Sequence, residues 1–308
     1  GLLMAVGIAR IPMKNWQNIG SGAFITGLFL LVIVLIPGLG VKVNGSIRWL
    51  SLGGLRIQVS EVVKFFSVIY MAGYVTRHEV NLQGSAYGII KPLLLFSVAC
   101  VLLLLEPDFG SAVVILMIAM GMMFLGGARL KQFIILLALI VTLAATLVIV
   151  APYRMARLVS FIDPFKDYLK SGYQLSQALI SFGRGEVLGV GLGSGIQKLF
   201  YLPEAHTDFL FSVIGEELGL LGVIAVIALY AILIWRVFAI AVAAEQAGHR
   251  FSAFVAYGLG IWLGFQSFVN MGVNMGILPT KGLTLPLMSY GGSSMMIMCC
   301  VAALLFRV

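Results

Sequence analysis

The sequence predicts an all-α, polytopic integral membrane protein, and three observations predict it. Of 308 residues, 61% are hydrophobic and only 10% are charged. The mean hydropathy is +1.07. Apolar runs long enough to cross a bilayer recur along the whole chain. Soluble domains carry about 25% charged residues. No soluble core could hide this much apolar surface, so the bilayer must be the solvent.

The chain opens in mid-run at Gly1–Ala9, too short to span, which predicts that a span or more precedes it. Eight apolar segments follow, at 19–39, 60–76, 89–105, 109–127, 132–151, 208–243, 252–277 and 287–306. A span needs about 20 mostly apolar residues. Segment 208–243 exceeds that need and is expected to tilt or project past the interface. Residues 1–308 read as one integral-membrane domain, with 152–207 as its one large loop.

The connections alternate between two faces. Arg10, Lys14, Arg77, Lys91, Arg129, Lys131, Arg236, Arg250 and Arg307 fall on one face. Lys42, Arg48, Arg56, Lys64 and Lys281 fall in the short connections of the other. The more basic face is expected to be cytoplasmic. Loop 152–207 adds six basic residues to the second face, at a length where that rule weakens. The second face also takes all the acids but Glu79 and Glu245, which makes it a candidate working surface. The net charge of +8 is spread between apolar runs rather than gathered in a patch. That excludes a nucleic-acid partner and favours anionic lipid headgroups or an anionic substrate beside the membrane. Cys100, Cys299 and Cys300 lie inside apolar runs and read as small hydrophobic side chains, with no disulfide framework.

The densest stretch is Tyr201-Leu-Pro-Glu-Ala-His-Thr-Asp-Phe-Leu210, which closes the long loop and opens a long apolar run. Thr207 is expected to cap that helix and place Asp208 in its first turn. The helix dipole there favours a carboxylate, which either merely caps the helix or accepts a proton from a hydroxyl held at the boundary. Glu216 and Glu217 lie two turns further on, facing a cavity or a structural ion-pair partner. As chain neighbours they are expected to point about 100° apart. His206 and Asp208 could share a metal, but two ligands do not define one.

Glu106-Pro-Asp-Phe-Gly110 breaks the chain between two spans and presents Glu106 and Asp108. Its Asp-Phe-Gly triplet spells a kinase metal-binding motif, but none of the accompanying kinase loops is present. Leu278-Pro-Thr-Lys-Gly-Leu-Thr-Leu-Pro-Leu-Met-Ser-Tyr-Gly-Gly-Ser-Ser294 brackets Lys281 with two prolines and continues to Ser289. Lys281 there is either a fixed positive point suited to phosphate or a snorkelling anchor. Arg48 and Arg56 lie on the same face and can hold phosphate oxygens with two bonds each. The glycines of 183–195 lack dinucleotide-binding spacing and read as a flexible loop. His78 and His249 read as interfacial side chains.

Pro203-Glu-Ala-His-Thr-Asp208, Gly215-Glu-Glu-Leu-Gly219, Pro279-Thr-Lys-Gly282 and Ser289-Tyr-Gly-Gly-Ser-Ser294 together resemble the SEDS family (shape, elongation, division and sporulation), over essentially the whole chain. The resemblance implies ten transmembrane helices, of which the first is absent here. It also implies a large extracytoplasmic loop, matching 152–207. Lys281, Arg184 and Ala205 look like the division branch, whereas Glu106 stands where several division members carry glutamine and is more reminiscent of the elongation branch. The family implies polymerisation of lipid II at the bacterial inner membrane and, for the division branch, at the septum.

In that reading Asp208 is the general base and Lys281, Arg56 and Arg48 bind pyrophosphate and sugar. Asp108, Glu106, Glu216, Glu217, His206 and Ser289 line or support the cavity. A divalent cation, magnesium or manganese, is expected to assist, with no ligand set visible. The implied partners are a class B penicillin-binding protein, the division transpeptidase, and the FtsQ–FtsL–FtsB activator complex. A lipid II flippase fits broken helices and buried acids too, and the elongation-type polymerase is a further alternative. A pure scaffold explains neither Asp208 nor Lys281.

Overall fold

The computed structural model describes residues 1–43, 46–52, 55–84, 86–150, 155, 159–166, 172–280 and 282–308. Its helices are α1 (Leu2–Arg10), α2 (Met13–Leu35), α3 (Val59–Arg77), α4 (Glu79–Gly84), α5 (Ala86–Leu105), α6 (Phe109–Leu125) and α7 (Leu130–Val150). They continue with α8 (Tyr173–Gly185), α9 (Leu210–Gln246), α10 (Arg250–Asn274) and α11 (Gly292–Arg307). Each of the eight apolar segments is a helix. Six of them, α2, α3, α5, α7, α9 and α10, are long and apolar enough to cross a membrane, while α6 and α11 are shorter apolar helices. This is a multi-pass helical membrane protein.

The sequence reading missed the short helix α4, the helix α8 inside the loop 152–207, and a sheet. Strands β1 (Gly40–Val43), β2 (Ser46–Leu52) and β3 (Leu55–Gln58) form a small antiparallel sheet in the order β1-β2-β3. Trp49 pairs with Gln58 and Ser51 with Arg56. Strands this short, in a polar connection between spans, leave no hydropathy signal of their own.

The chain forms two compact units. The first comprises 1–133, 234–265 and 291–308; the second comprises 134–233 and 266–290. In the first, α2 packs along α3, and α6 lies against α3 and α5. The α2 stripe Trp16, Gly20, Phe24, Gly27, Leu31, Val34 recurs every three or four residues and is buried. Two of its members are glycines for a reason. A Cβ on Gly20 would sit 3.2 Å from the Ile69 carbonyl, and one on Gly27 would sit 3.3 Å from Val63 Cγ2. Small residues let spans approach closely where lipid offers no hydrophobic drive between them. Phe24 stacks against both Tyr70 and Phe96, at 5.1 and 4.9 Å, and those two rings meet each other at 6.0 Å. Ile25 and Phe29 on the opposite side are exposed, as a lipid-facing surface requires.

In the second unit, α9 is not one straight span. Gly219 adopts φ 63°, ψ −161° and breaks the helix. The freed backbone groups are taken by the loop after α8. Val190 N donates to Glu216 O (3.0 Å) and Gly191 N to Glu217 O (3.1 Å). In return, Leu220 N donates to Glu186 O (2.9 Å) and Leu221 N to Val187 O (3.3 Å). A broken span is tolerated where protein re-satisfies its backbone. The over-long segment is thus accommodated by a break at Gly219.

Candidate functional site

Asp208 belongs to the second unit, in the turn just ahead of α9 rather than inside it. The expected Thr207 cap is not formed, because the Thr207 hydroxyl turns back to Glu204. It donates to the Glu204 carbonyl (3.2 Å) and lies 2.7 Å from Glu204 Oε2. Phe209 N also closes onto Glu204 O (3.2 Å), so residues 204–209 make their own compact turn and α9 begins at Leu210. Asp208 is therefore held by other elements.

The holding groups come from α10 and from the segment before α11. The Asp208 carbonyl accepts from Asn270 Nδ2 and Asn274 Nδ2, both at 2.9 Å. Asn270 Nδ2 also donates to Leu283 O (2.6 Å), and Asn274 Oδ1 accepts from Ser212 N (3.0 Å) and Ser212 Oγ (2.7 Å). One turn earlier on α10, Gln266 Nε2 donates to Thr284 O (2.9 Å). Residues 266, 270 and 274 stand on one helix face, all buried. They are a buried polar ladder inside a span, the arrangement most costly to leave unpaired.

Ser289 closes the other side. Its hydroxyl donates to Thr207 O (2.5 Å) and accepts from Leu285 N (2.8 Å). Tyr290 N donates to His206 O (2.9 Å), and the two rings meet edge-on at 5.8 Å. Ala178, Leu202, Ala205, Phe209 and Val273 form the apolar floor of this region. The Asp208 carboxylate lies against Gly282, where an added Cβ would be 2.8 Å from Oδ2. Lys281, the neighbour of Gly282, lies outside the described residues. Of the sequence candidates, the second unit thus brings Asp208, His206 and Ser289 together. The sequence reading missed Gln266, Asn270 and Asn274, although polar residues spaced by four in an apolar run were a usable signal.

Glu216 and Glu217 serve a different part of the same unit. Glu216 accepts from Arg184 Nη1 (2.8 Å), Ile196 N (3.1 Å) and Gln197 N (3.2 Å). Glu217 accepts from Lys198 Nζ (2.5 Å) and Gly193 N (3.1 Å). Both carboxylates reach the same loop. The glycine-rich stretch is accordingly pinned rather than a free flexible loop. A Cβ on Gly195 would meet Glu216 Oε2 and Glu217 Oε1, each at 2.9 Å.

The first unit holds the remaining candidates. Arg48 on β2 donates Nε to Glu106 O (3.2 Å) and Nη2 to Pro107 O (2.5 Å), tying the sheet to the α5–α6 connection. Arg56 on β3 is exposed. Asp108 caps α6, Oδ1 accepting from Ser111 N (3.2 Å). Glu106 is 1% exposed, and neither of its carboxyl oxygens has a partner among the described residues, nor has Asp108 Oδ2. Burial, reinforced by the nearby Asp108 charge and only partly offset by Arg48, pushes Glu106 up to about 8. A buried pair missed by the sequence reading, Glu61 and Lys64, lies one turn apart on α3 at 2.6 Å, with Lys64 Nζ 5.3 Å from the Trp262 ring.

Among the described residues no group of three or more potential metal ligands occurs. The orphaned buried oxygens of Glu106 and Asp108 are the feature that suits a cation. A magnesium-type ion takes one or two carboxylates and completes its shell with water and phosphate.

These features define a class: a polytopic membrane protein that fixes the backbone of one aspartate at the mouth of a span with a buried amide ladder and a serine latch. Over residues 1–308 the sequence matches the cell cycle protein family of FtsW, RodA and SpoVE. The chain belongs to that family, and the SEDS resemblance of its motifs is borne out. It is 69% identical over 308 residues to the probable peptidoglycan glycosyltransferase FtsW of Methylomonas methanica, covering 100% of this chain and 79% of that protein. The protein of the same name from Methylococcus capsulatus is 58% identical, with 100% and 77% covered.

Two solved structures share the fold. One, described as structural coordination of polymerization and crosslinking by a peptidoglycan synthase complex, has a TM-score of 0.83 at 30% identity, covering 100% of this chain and 85% of that one. The rod shape determining protein RodA of Thermus thermophilus has a TM-score of 0.72 at 28% identity, covering 100% and 83%.

Proposed function

We infer that this chain is a peptidoglycan glycosyltransferase of the division type, polymerising lipid II into glycan strands. The observation that carries the reading is the fixing of Asp208 by Asn270, Asn274 and the Ser289 latch. The names of its relatives support the same reading, and they favour the division branch over the elongation branch that Glu106 suggests.

The chemistry follows from the groups. A sugar hydroxyl of one lipid-linked substrate attacks the anomeric carbon of another. The O–H proton passes to the Asp208 carboxylate as the new C–O bond forms, and the bond to the lipid pyrophosphate breaks with its electron pair leaving on phosphate. Attack and departure on opposite faces invert an α-linked donor to a β link. Lys281, Arg56 and Arg48 are assigned to the departing pyrophosphate, where fixed cations act most strongly in the transition state. Arg48 would do so from a guanidinium already anchored on carbonyls. A divalent cation, held by Glu106 and Asp108, would supply further neutralisation of phosphate charge.

The loop 152–207 and the Asp208 face are assigned to the outside of the bacterial inner membrane, at the septum. A class B penicillin-binding protein is the proposed partner, supported by the fold shared with a synthase complex that couples polymerisation to crosslinking. FtsQ–FtsL–FtsB is the proposed activator.

The test is polymerisation of labelled lipid II by the purified protein with its transpeptidase partner. Asp208→Asn should insert and bind lipid II but lose about 10²–10⁴ in rate. Near-normal chains from that variant would overturn the assignment and turn attention to Asp108. Translocation of lipid II without chains, by the unaltered protein, would make it a flippase.

A further inference from the structure

The first unit contains a cavity of about 420 Å³ at the opposite ends of its spans from β1–β3. Ligand pockets run to roughly 300–1,000 Å³. It is lined by Lys14 and Gln17 from the start of α2, Thr76 from the last turn of α3, and His249, Arg250 and Ser252 from the start of α10. Three candidate spans begin or end at this cavity, so it lies at the level of lipid headgroups.

Its chemistry is that of an anion site. No acidic side chain is among its lining residues. Lys14 has no carboxylate partner among the described residues and is exposed, as is His249. Arg77 stands beside it, donating Nη1 to Gln17 O and Nη2 to Ser21 Oγ. Arg250 is fixed from outside by Glu79, which takes both of its terminal nitrogens, Nη2 at 2.7 Å from Oε1.

The backbone points the same way. Ala253 N donates to His249 O (2.9 Å), which is the first bond of the helix, so the N–H groups of Arg250, Phe251 and Ser252 have no helical acceptor. Helix N-termini favour negative charge there. Ser252 is 7% exposed and lines the cavity.

We propose that this cavity binds a phosphate-bearing anion, an anionic phospholipid headgroup or free phosphate, between Lys14, His249, Arg250 and the first amides of α10. Basic recesses between transmembrane helices suit such headgroups. The site is independent of the glycosyltransferase reading, since none of its residues is assigned to lipid II.

Native mass spectrometry of the detergent-purified protein tests it, with phosphatidylglycerol, net-neutral phosphatidylethanolamine or inorganic phosphate added. Wild type should retain phosphatidylglycerol over phosphatidylethanolamine. Lys14→Gln should weaken that binding by about fivefold, the contribution of one cation near a headgroup, and Lys14→Gln with His249→Gln should weaken it further. Lys14→Arg should restore it, which separates charge from misfolding. Displacement of the lipid by millimolar inorganic phosphate would make free phosphate the ligand; resistance to it would make the headgroup the ligand. Equal phosphatidylglycerol binding by wild type and both glutamine variants overturns the proposal.

Discussion

Arg184 Nη1 lies 2.8 Å from Glu216 Oε1, joining the last turn of α8 to the first half of α9. Glu216 is fully buried, and two backbone amides share its carboxylate. Removing one member of such a pair leaves the other uncompensated. Glu216→Ala should therefore destabilise the protein by about 3–5 kcal/mol. Arg184→Ala should cost less, since its side chain is 37% exposed and water replaces part of what is lost. Thermal unfolding in detergent checks both, and equal small effects would show that the pinned loop contributes little.

Gly282→Ala should separate activity from stability. The new Cβ meets the Asp208 carboxylate, the end of a side chain that can swing, rather than backbone. The protein should fold with a nearly unchanged melting temperature, while polymerisation falls by about 100-fold, the scale of a 1 Å misplacement. A variant as active as wild type would mean that Asp208 tolerates movement and is not held in a working position.

Asn274→Leu puts a somewhat larger apolar side chain on α10 and deletes a donor to the Asp208 carbonyl and the acceptor of both Ser212 bonds. Leaving buried polar groups unmet costs about 1–3 kcal/mol each. Lower thermal stability together with lower polymerisation is expected. Asn274→Asp keeps an acceptor for Ser212 but sets a buried carboxylate against the Asp208 and Asn270 carbonyls, so it should be no more stable than the leucine variant.

Glu106 carries a pH dependence of definite sign. Its folded pKa is raised to about 8 from 4.5. Between those values the unfolded chain has released the proton that the folded protein retains. Stability is therefore greatest at the acid end and falls as pH rises through that window. In chelator-treated protein, where no bound cation holds the carboxyl ionised, the melting temperature should drop from pH 5 to pH 8. Glu106→Gln should flatten that slope and be the more stable protein at pH 8. A slope unchanged by the substitution would remove Glu106 as its source.

Much of this was legible in the sequence, and the rest was hidden for physical reasons. Hydropathy locates every span because the bilayer imposes length and apolarity on each one separately. Asp208 is legible as a carboxylate at a span mouth, but its holders are not. Asn270 and Asn274 meet it across 62 and 66 residues, and such pairings leave no local trace. The start of α9 shifts because the Thr207 hydroxyl turns back to Glu204, and Phe209 N closes onto the Glu204 carbonyl, instead of the hydroxyl accepting from the first amides of the helix it was expected to cap. Glu216 and Glu217 read in the sequence as cavity acids or as members of ion pairs, and only the loop that encloses them decides for the pairs, since tertiary contact supplies their cations.

The break at Gly219 makes two distant stretches into one cooperative element. The amides of Val190 and Gly191 are closed by carbonyls of α9, while those of Leu220 and Leu221 are closed by carbonyls of residues 186 and 187. Neither stretch can open without stranding the other's backbone beside the bilayer. Deuterium should therefore enter all four amides in a single opening event rather than by fraying from either end. During synthesis the ribosome must release residue 221 before residues 186–191 can reach their final pairing, so this loop completes late although it is made early.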